Sequence, residues 1–157
     1  MKVHEAMVAD PKTCSIDATL ETAAGVMWNG DCGCLPVTDH KGRVIGIITD
    51  RDIAMGAYLN HRELWSLDVK DVIRNHPLYV CRPDDDVHDA LSAMERHGVR
   101  RLPVVDGSGA PVGLLSMGDL VFHAQKSPAP KKNGKLTFGD LVSALKSIFK
   151  HHAGAAA

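Results

Sequence analysis

The sequence predicts an α/β fold of two copies of one unit, strand-helix-strand-strand-helix, packed with pseudo-two-fold symmetry and followed by one amphipathic C-terminal helix. Three observations predict it. The first is an internal repeat, sought before any single motif because it decides the architecture. From Cys14 onward, adding 67 to a residue number lands on its counterpart: Cys14 on Cys81, Asp17 on Asp84, Ala23 on Ala90, Met27 on Met94, Leu35-Pro36-Val37 on Leu102-Pro103-Val104, and Asp52 on Asp119. Upstream of Cys14 the offset becomes 66, which takes Pro11 to Pro77 and Val3 to Val69. The second is that each copy holds one stretch of helical apolar spacing and then two short apolar runs around a turn. The third is the break in composition after Ala124, where the repeat ends.

Each copy reads in the same order. It opens on a short extended piece, Thr13 to Ile16 or Tyr79 to Arg82. A helix start follows, Asp17-Ala18-Thr19 or Asp84-Asp85-Asp86, where side-chain oxygens suit unpaired amides and the positive end of the helix dipole. The helix places Leu20, Ala23, Ala24 and Met27 on one face, matched by Val87, Ala90, Leu91 and Met94. The strand Leu35 to Thr38 (Leu102 to Val105) leads through the turn Asp39-His40-Lys41-Gly42 (Asp106-Gly107-Ser108-Gly109) into Val44 to Ile48 (Val112 to Leu115). A last helix begins near Thr49 or Ser116. Neither half has core enough to stand comfortably alone, so the two should pack sheet to sheet. The expected boundaries are repeat one over 1–60, a connecting segment over 61–68 and repeat two over 69–125.

Composition narrows the function. A hydrophobic share of 45% against 24% charged residues is that of a globular chain. With 18 basic and 19 acidic side chains and no basic stripe along the repeats, nucleic acid is not expected as the principal partner. No apolar run reaches the length of a membrane span, and the first residues hold no signal-peptide apolar segment, so a cytoplasmic protein is expected. Cys14, Cys32, Cys34 and Cys81 are then read as reduced thiols. Cys32 and Cys34 form C-x-C, but no second Cys or His pair stands at zinc-site spacing, and no metal is expected. No nucleophile elbow, Walker-type loop, HExxH or cofactor fingerprint is present, so the chain is read as no enzyme, with no required cofactor.

The strings Leu35 to Ile53 and Leu102 to Leu120 carry Leu-Pro-Val, a turn, and Gly-h-h-Thr/Ser-x-x-Asp, where h is apolar. They resemble the CBS domain, named after cystathionine beta-synthase, and two in tandem resemble a Bateman module. The match runs from about Val3 to Ala124. The resemblance implies a regulatory, ligand-sensing module. In the family, the cleft between paired repeats commonly binds AMP, ADP, ATP or S-adenosylmethionine and regulates an attached or partner protein. It also implies that Asp52 and Asp119 accept from ribose hydroxyls while Thr49 and Ser116 bind ribose or phosphate. A carboxylate is chemically suited to a cis-diol, since its two oxygens accept and charged acceptors bond more strongly. Because it repels phosphate, donors are needed at the other end of a nucleotide. Arg100 and Arg101 stand where the family often places phosphate contacts, and repeat one has Gly33 and Cys34 there instead, so the two clefts should bind unequally. Adenine is expected against Thr13, Cys14, Ile16 and Cys34 in repeat one, and against Val80, Cys81, Pro83 and Arg101 in repeat two; for the apolar ones among them ordinary core is the favoured reading.

The same Thr/Ser-x-x-Asp spacing is that of a capping box, in which hydroxyl and carboxylate satisfy backbone amides at a helix start. From spacing alone capping is the favoured reading, and it is the resemblance that implies a ligand contact for at least one of the two aspartates, which can do both. The other helix starts, Thr19-x-x-Thr22 and Asp86-x-x-Asp89, are similar and carry no ligand expectation.

After the repeats, residues 126–136 read as a basic Pro/Gly linker and 137–152 as an amphipathic helix capped by Thr137 with Asp140 at N3. Its apolar residues are Phe138, Leu141, Val142, Leu145, Ile148 and Phe149. A helix this short needs a partner surface. The module's own surface, a second subunit, and another protein or a membrane are considered, with packing in a homodimer favoured. The alternative function is an interaction protein with degenerate clefts that acts through oligomerisation and this helix.

Overall fold

The computed structural model describes residues 1–73, 77–124 and 136–153, the side chains of 149–153 excepted. Its elements are β1 (Val8–Ala9), β2 (Cys14–Ser15), α1 (Leu20–Asn29), β3 (Cys34–Thr38), β4 (Val44–Thr49), α2 (Asp50–Asn60), α3 (Val69–Ile73), α4 (Val87–His97), β5 (Arg101–Val105), β6 (Pro111–Ser116), α5 (Met117–His123) and α6 (Phe138–Ala153). Single 3-10 turns lie at Val3–Glu5 and Leu64–Ser66. The α/β class and the C-terminal helix are as the sequence predicts.

The chain forms two compact units. The repeat-one unit comprises Asp10–Leu78 and Asp106–Pro111. Its sheet runs β2-β3-β4, with β2 parallel and β4 antiparallel to β3. Leu35 and Val37 project from β3 into a core with Leu20, Ala23 and Met27 of α1, Ile48 of β4, Ile53 of α2, and Leu67, Val69 and Ile73. Cys34 and Pro36, also buried, alternate with them on the other face of the strand. Thr19 caps α1 by accepting from Thr22 N at 3.1 Å. The turn between β3 and β4 is held by Asp39, whose carboxylate accepts from Lys41 N, Arg43 N and the Arg43 guanidinium. Those bonds, Arg43 above all, hold its carboxyl below the usual range.

The repeat-two unit comprises Met1–Ala9, Tyr79–Val105 and Val112–Ala157. Its sheet runs β1-β6-β5, with Val8 opposite Leu114 and Ala9 opposite Gly113. The expected extended piece from Tyr79 to Arg82 is reduced to one parallel bridge, Cys81 to Val104.

Each unit therefore takes its lead-in turn from the segment preceding the other repeat. Val3 N donates to Asp85 O and His4 N to Pro83 O, both at 3.0 Å; at the matching positions Val69 N donates to Ala18 O at 2.8 Å and Lys70 N to Ile16 O at 3.1 Å. Glycines admit these segments. A Cβ on Gly46 would stand 2.8 Å from Ile73 Cδ1, and one on Gly113 would collide with Met7 Sδ. Met7 and Ile73 are themselves counterparts at offset 66.

The tail corrects one expectation. Instead of reserving its apolar stripe for a second subunit, α6 packs against α4 and α5 of its own unit. Leu136, Leu141, Ala144 and Ile148 join Val87, Leu91, Met94 and Leu120 in one core, because α4 presents Val87, Leu91 and Met94 on a single apolar face. Thr137 and Asp140 form the expected capping box, with Thr137 N donating to Asp140 Oδ2 at 3.0 Å and Asp140 N to Thr137 Oγ1 at 3.2 Å. Leu136, expected in the linker, is buried; residues 126–135 of that segment lie outside the described residues.

Candidate functional site

In both repeats the second hairpin strand runs directly into a helix, so its last residue becomes the N-cap and the third helical residue faces back toward it. Thr49 N and Thr49 Oγ1 donate to Asp52 Oδ2 at 2.9 and 2.7 Å, and Asp52 N donates to Thr49 Oγ1 at 3.2 Å. Ser116 N and Ser116 Oγ donate to Asp119 Oδ2 at 2.7 and 2.6 Å, and Asp119 N donates to Ser116 Oγ at 3.2 Å. The capping box is real in each. In each it occupies one carboxylate oxygen only: Asp52 Oδ1 and Asp119 Oδ1 accept no hydrogen bond among the described residues. All four side chains are half-buried. The capping bonds fix the orientation of each carboxylate.

The residue before each Leu-Pro-Val strand is tied to the same helix start. Asp50 N donates to Gly33 O at 3.3 Å, and Met117 N donates to Arg100 O at 2.9 Å. Cys34 pairs with Thr49 across β3 and β4. Gly33, Cys34, Thr49 and Asp52 thus converge in the repeat-one unit. Arg100, Ser116 and Asp119 converge in the repeat-two unit, with Arg101 next in the chain. Arg100 is exposed and Arg101 half-buried, and neither guanidinium makes an ion pair among the described residues.

The lead-in residues divide. Cys14 and Cys81 place their side chains in the two hydrophobic cores. Burial pushes the Cys14 thiol up to about 11, and burial with the nearby Asp85 charge pushes Cys81 up to about 12. The carbonyls of Ile16 and Pro83 accept from Lys70 N and His4 N, so they are already committed. Cys14 lies opposite Val37, three residues beyond Cys34 on β3, or about 10 Å along the strand. Thr13 and Val80, counterparts at offset 67, have backbone groups that bond to nothing among the described residues. Val80 is exposed and Thr13 half-buried.

Sequence reasoning missed an open groove of about 510 Å³ in the repeat-one unit, lined by Ala24, Met27, Trp28, Ile53, Ala54 and Leu64 together with Asp31, Cys32, Gly33 and Asp50. It lies over α1 and α2, and Asp52 does not line it. Trp28 beside it is 87% exposed. The available signal was Trp28 itself, which breaks the polar face of α1. Among the described residues no group of three His, Cys, Asp or Glu could hold a metal ion, and no helix is long and apolar enough to cross a membrane.

Comparison with known proteins bears on the repeats and the fold. The family model for the CBS domain matches residues 3–56 and 69–126. The CBS domain-containing protein YhcV of Bacillus subtilis is 33% identical over 121 residues, which cover 77% of this chain and 84% of that protein. Inosine-5'-monophosphate dehydrogenase of Mycobacterium leprae is 34% identical over 137 residues, 87% of this chain, but the match spans only 25% of the enzyme's length. The solved structure of CBSX2 in complex with AMP aligns with a TM-score of 0.65 at 25% identity, covering 77% of this chain and 90% of that one. A family model matched over both repeats, and a relative matched along most of its length, place the chain: it belongs to the CBS-domain family.

Proposed function

We propose that this chain is a cytoplasmic regulatory module that binds an adenosine-containing ligand (AMP, ADP, ATP or S-adenosylmethionine) through its CBS repeats, acts as a homodimer and signals to a partner protein. One observation carries the reading. Twice, at symmetric positions, a capping box holds an aspartate rigidly while leaving its second oxygen open, and Asp52 Oδ1 and Asp119 Oδ1 are the acceptors a ribose diol requires. Pre-orientation means the bond forms at little entropic cost. Thr13 and Val80 offer uncommitted backbone groups for the edge of the base. Arg100 and Arg101 supply charge for phosphate in the repeat-two site, where Gly33 and Cys34 supply none in the other. A phosphorylated ligand therefore favours the repeat-two site. AMP in the CBSX2 complex supports the ligand class. Regulation follows from differential affinity, since a ligand shifts a conformational equilibrium only as far as it prefers one state.

The test separates capping from binding. Asn at position 52 or 119 keeps an oxygen for the N-cap hydroxyl and amide but puts an NH₂ donor where the free acceptor stood. Calorimetry with AMP, ADP, ATP and S-adenosylmethionine is expected to show Asp119→Asn weakening the tighter site about 10-fold or more and Asp52→Asn weakening the other, with melting temperatures close to wild type. Unchanged affinities in both variants contradict the ribose assignment.

A further inference from the structure

The core of the repeat-two unit does not account for His88. This residue stands in the first turn of α4 with its side chain 11% exposed, and its Nε2 is buried with no hydrogen-bond partner among the described residues. A buried polar atom left unsatisfied is uncommon in a folded protein. At offset 67 the counterpart of His88 is Glu21, which is exposed. The difference between the two positions is α6. The seat of that helix on Leu91, Met94 and Leu120 corresponds to Ala24, Met27 and Ile53, which line the open groove of the repeat-one unit.

The charges around the ring fix where its proton sits. Asp86, the N-cap of α4, places Oδ1 at 2.8 Å from His88 Nδ1. Its carboxyl is held below the usual range, first by the bond from the His88 backbone amide and then, against the cost of burial, by the ring. A carboxylate only accepts, so Nδ1 carries the proton of the neutral ring. Nε2 is then a bare lone pair, and it faces Asp140 Oδ2 of α6 across 3.8 Å. That oxygen already accepts from Thr137 N and Thr137 Oγ1. Two acceptors therefore oppose each other where α6 meets α4. An open cleft of about 260 Å³ reaches this point, with Ser92 and Glu95 of α4 and Gly139 and Ser143 of α6 in its walls. From the N-terminal segment, the Met1 amino group stands 3.8 Å from Asp86 Oδ2, and Lys2 Nζ donates to Asp84 O. Three carboxylates, Asp86, Glu95 and Asp140, thus stand around the ring, against one ammonium on the far oxygen of Asp86.

We infer that His88 is a proton-operated latch for α6: a proton taken up at Nε2 holds Asp140, and with it the first turn of the helix, on α4. The proton comes from solvent through the cleft. It turns the lone pair into a charged donor aimed at Asp140, and the ring then bridges carboxylates of two helices. Loss of the proton restores two opposed acceptors and loosens the contact. Because the docked helix supplies the carboxylate that favours the charged ring, proton binding and docking strengthen each other. The latch is therefore closed at the acid end of the histidine range, about pH 5 to 8, and opens toward the alkaline end. Release of α6 uncovers Leu91 and Met94, which it shares a core with when docked. All of this lies within one compact unit and needs no nucleotide.

The test is hydrogen exchange on the full chain at about pH 5.5 and about pH 8, the two sides of the histidine range, read by mass spectrometry with each rate divided by its intrinsic rate at that pH. Protection of the amides from Leu141 to Ile148 is expected to be about 10-fold greater at the lower pH, with β3 of the repeat-one unit unchanged. His88→Phe keeps a buried ring and the backbone bond to Asp86 but takes up no proton, so its α6 should be protected equally at both pH values. Asp140→Asn keeps an oxygen for the Thr137 cap and removes the charge, so it should lose most of the effect. Equal protection of wild-type α6 at the two pH values, a change shared equally by β3, or the full wild-type effect in either variant overturns the inference.

Discussion

At the scale of single residues, the two aspartates form capping boxes and each keeps one carboxylate oxygen for the proposed ribose contact. A carboxylate has two oxygens, and the capping box consumes one. Spacing reveals the first role and is silent on the second, because it does not say which oxygen the helix uses. The cysteines follow a plainer rule. Cys14 and Cys81 sit in the cores with thiols pushed up to about 11 and about 12, so they stay protonated at any pH below that range. The thiolate is the reactive form. Native alkylation with iodoacetamide at pH 8, read by peptide mass spectrometry, is therefore expected to modify the half-buried Cys32 well before Cys14 or Cys81. Early labelling of Cys81 would contradict its placement in the core.

At the scale of elements, the parts with strong local signals were legible. Thr19, Thr49, Asp86, Ser116 and Thr137 mark helix starts because their oxygens satisfy amides within the same turn. The hairpin turns were legible because Asp39 and Asp106 bond to backbone two and four residues on. What stayed hidden depends on distant partners. The helix α3 is five residues long and holds through Ala18, Ile16 and Gly46, none of which is near it in sequence. Its trace was the offset change from 67 to 66, which separates each lead-in segment from the repeat it precedes. Likewise, the periodicity of α6 showed an apolar stripe but not its seat. Because Ile148 is fully buried against that seat, Ile148→Ala is expected to cost about 2–5 kcal/mol in urea unfolding. A loss below about 1 kcal/mol would mean that α6 contributes little to the repeat-two unit.

At the scale of the whole molecule, duplication gives two proposed sites with the same acceptor and different surroundings. The first unit pairs an open aspartate oxygen with Gly33 and Cys34, and the second pairs it with Arg100 and Arg101. Duplication also gives two helix seats, one filled by α6 and one open. Both asymmetries could be read off the sequence once the repeat was aligned, but only the first was, since the groove depends on how α1 and α2 pack. The central claim is that Asp52 and Asp119 read a ribose diol. The most direct measurement compares binding of AMP and its 2'-deoxy analogue to the wild-type chain by calorimetry. A hydrogen bond to a charged acceptor contributes about 1.5–3 kcal/mol, so the deoxy analogue is expected to bind about 10-fold to 100-fold more weakly. Equal affinity for the two would contradict the account.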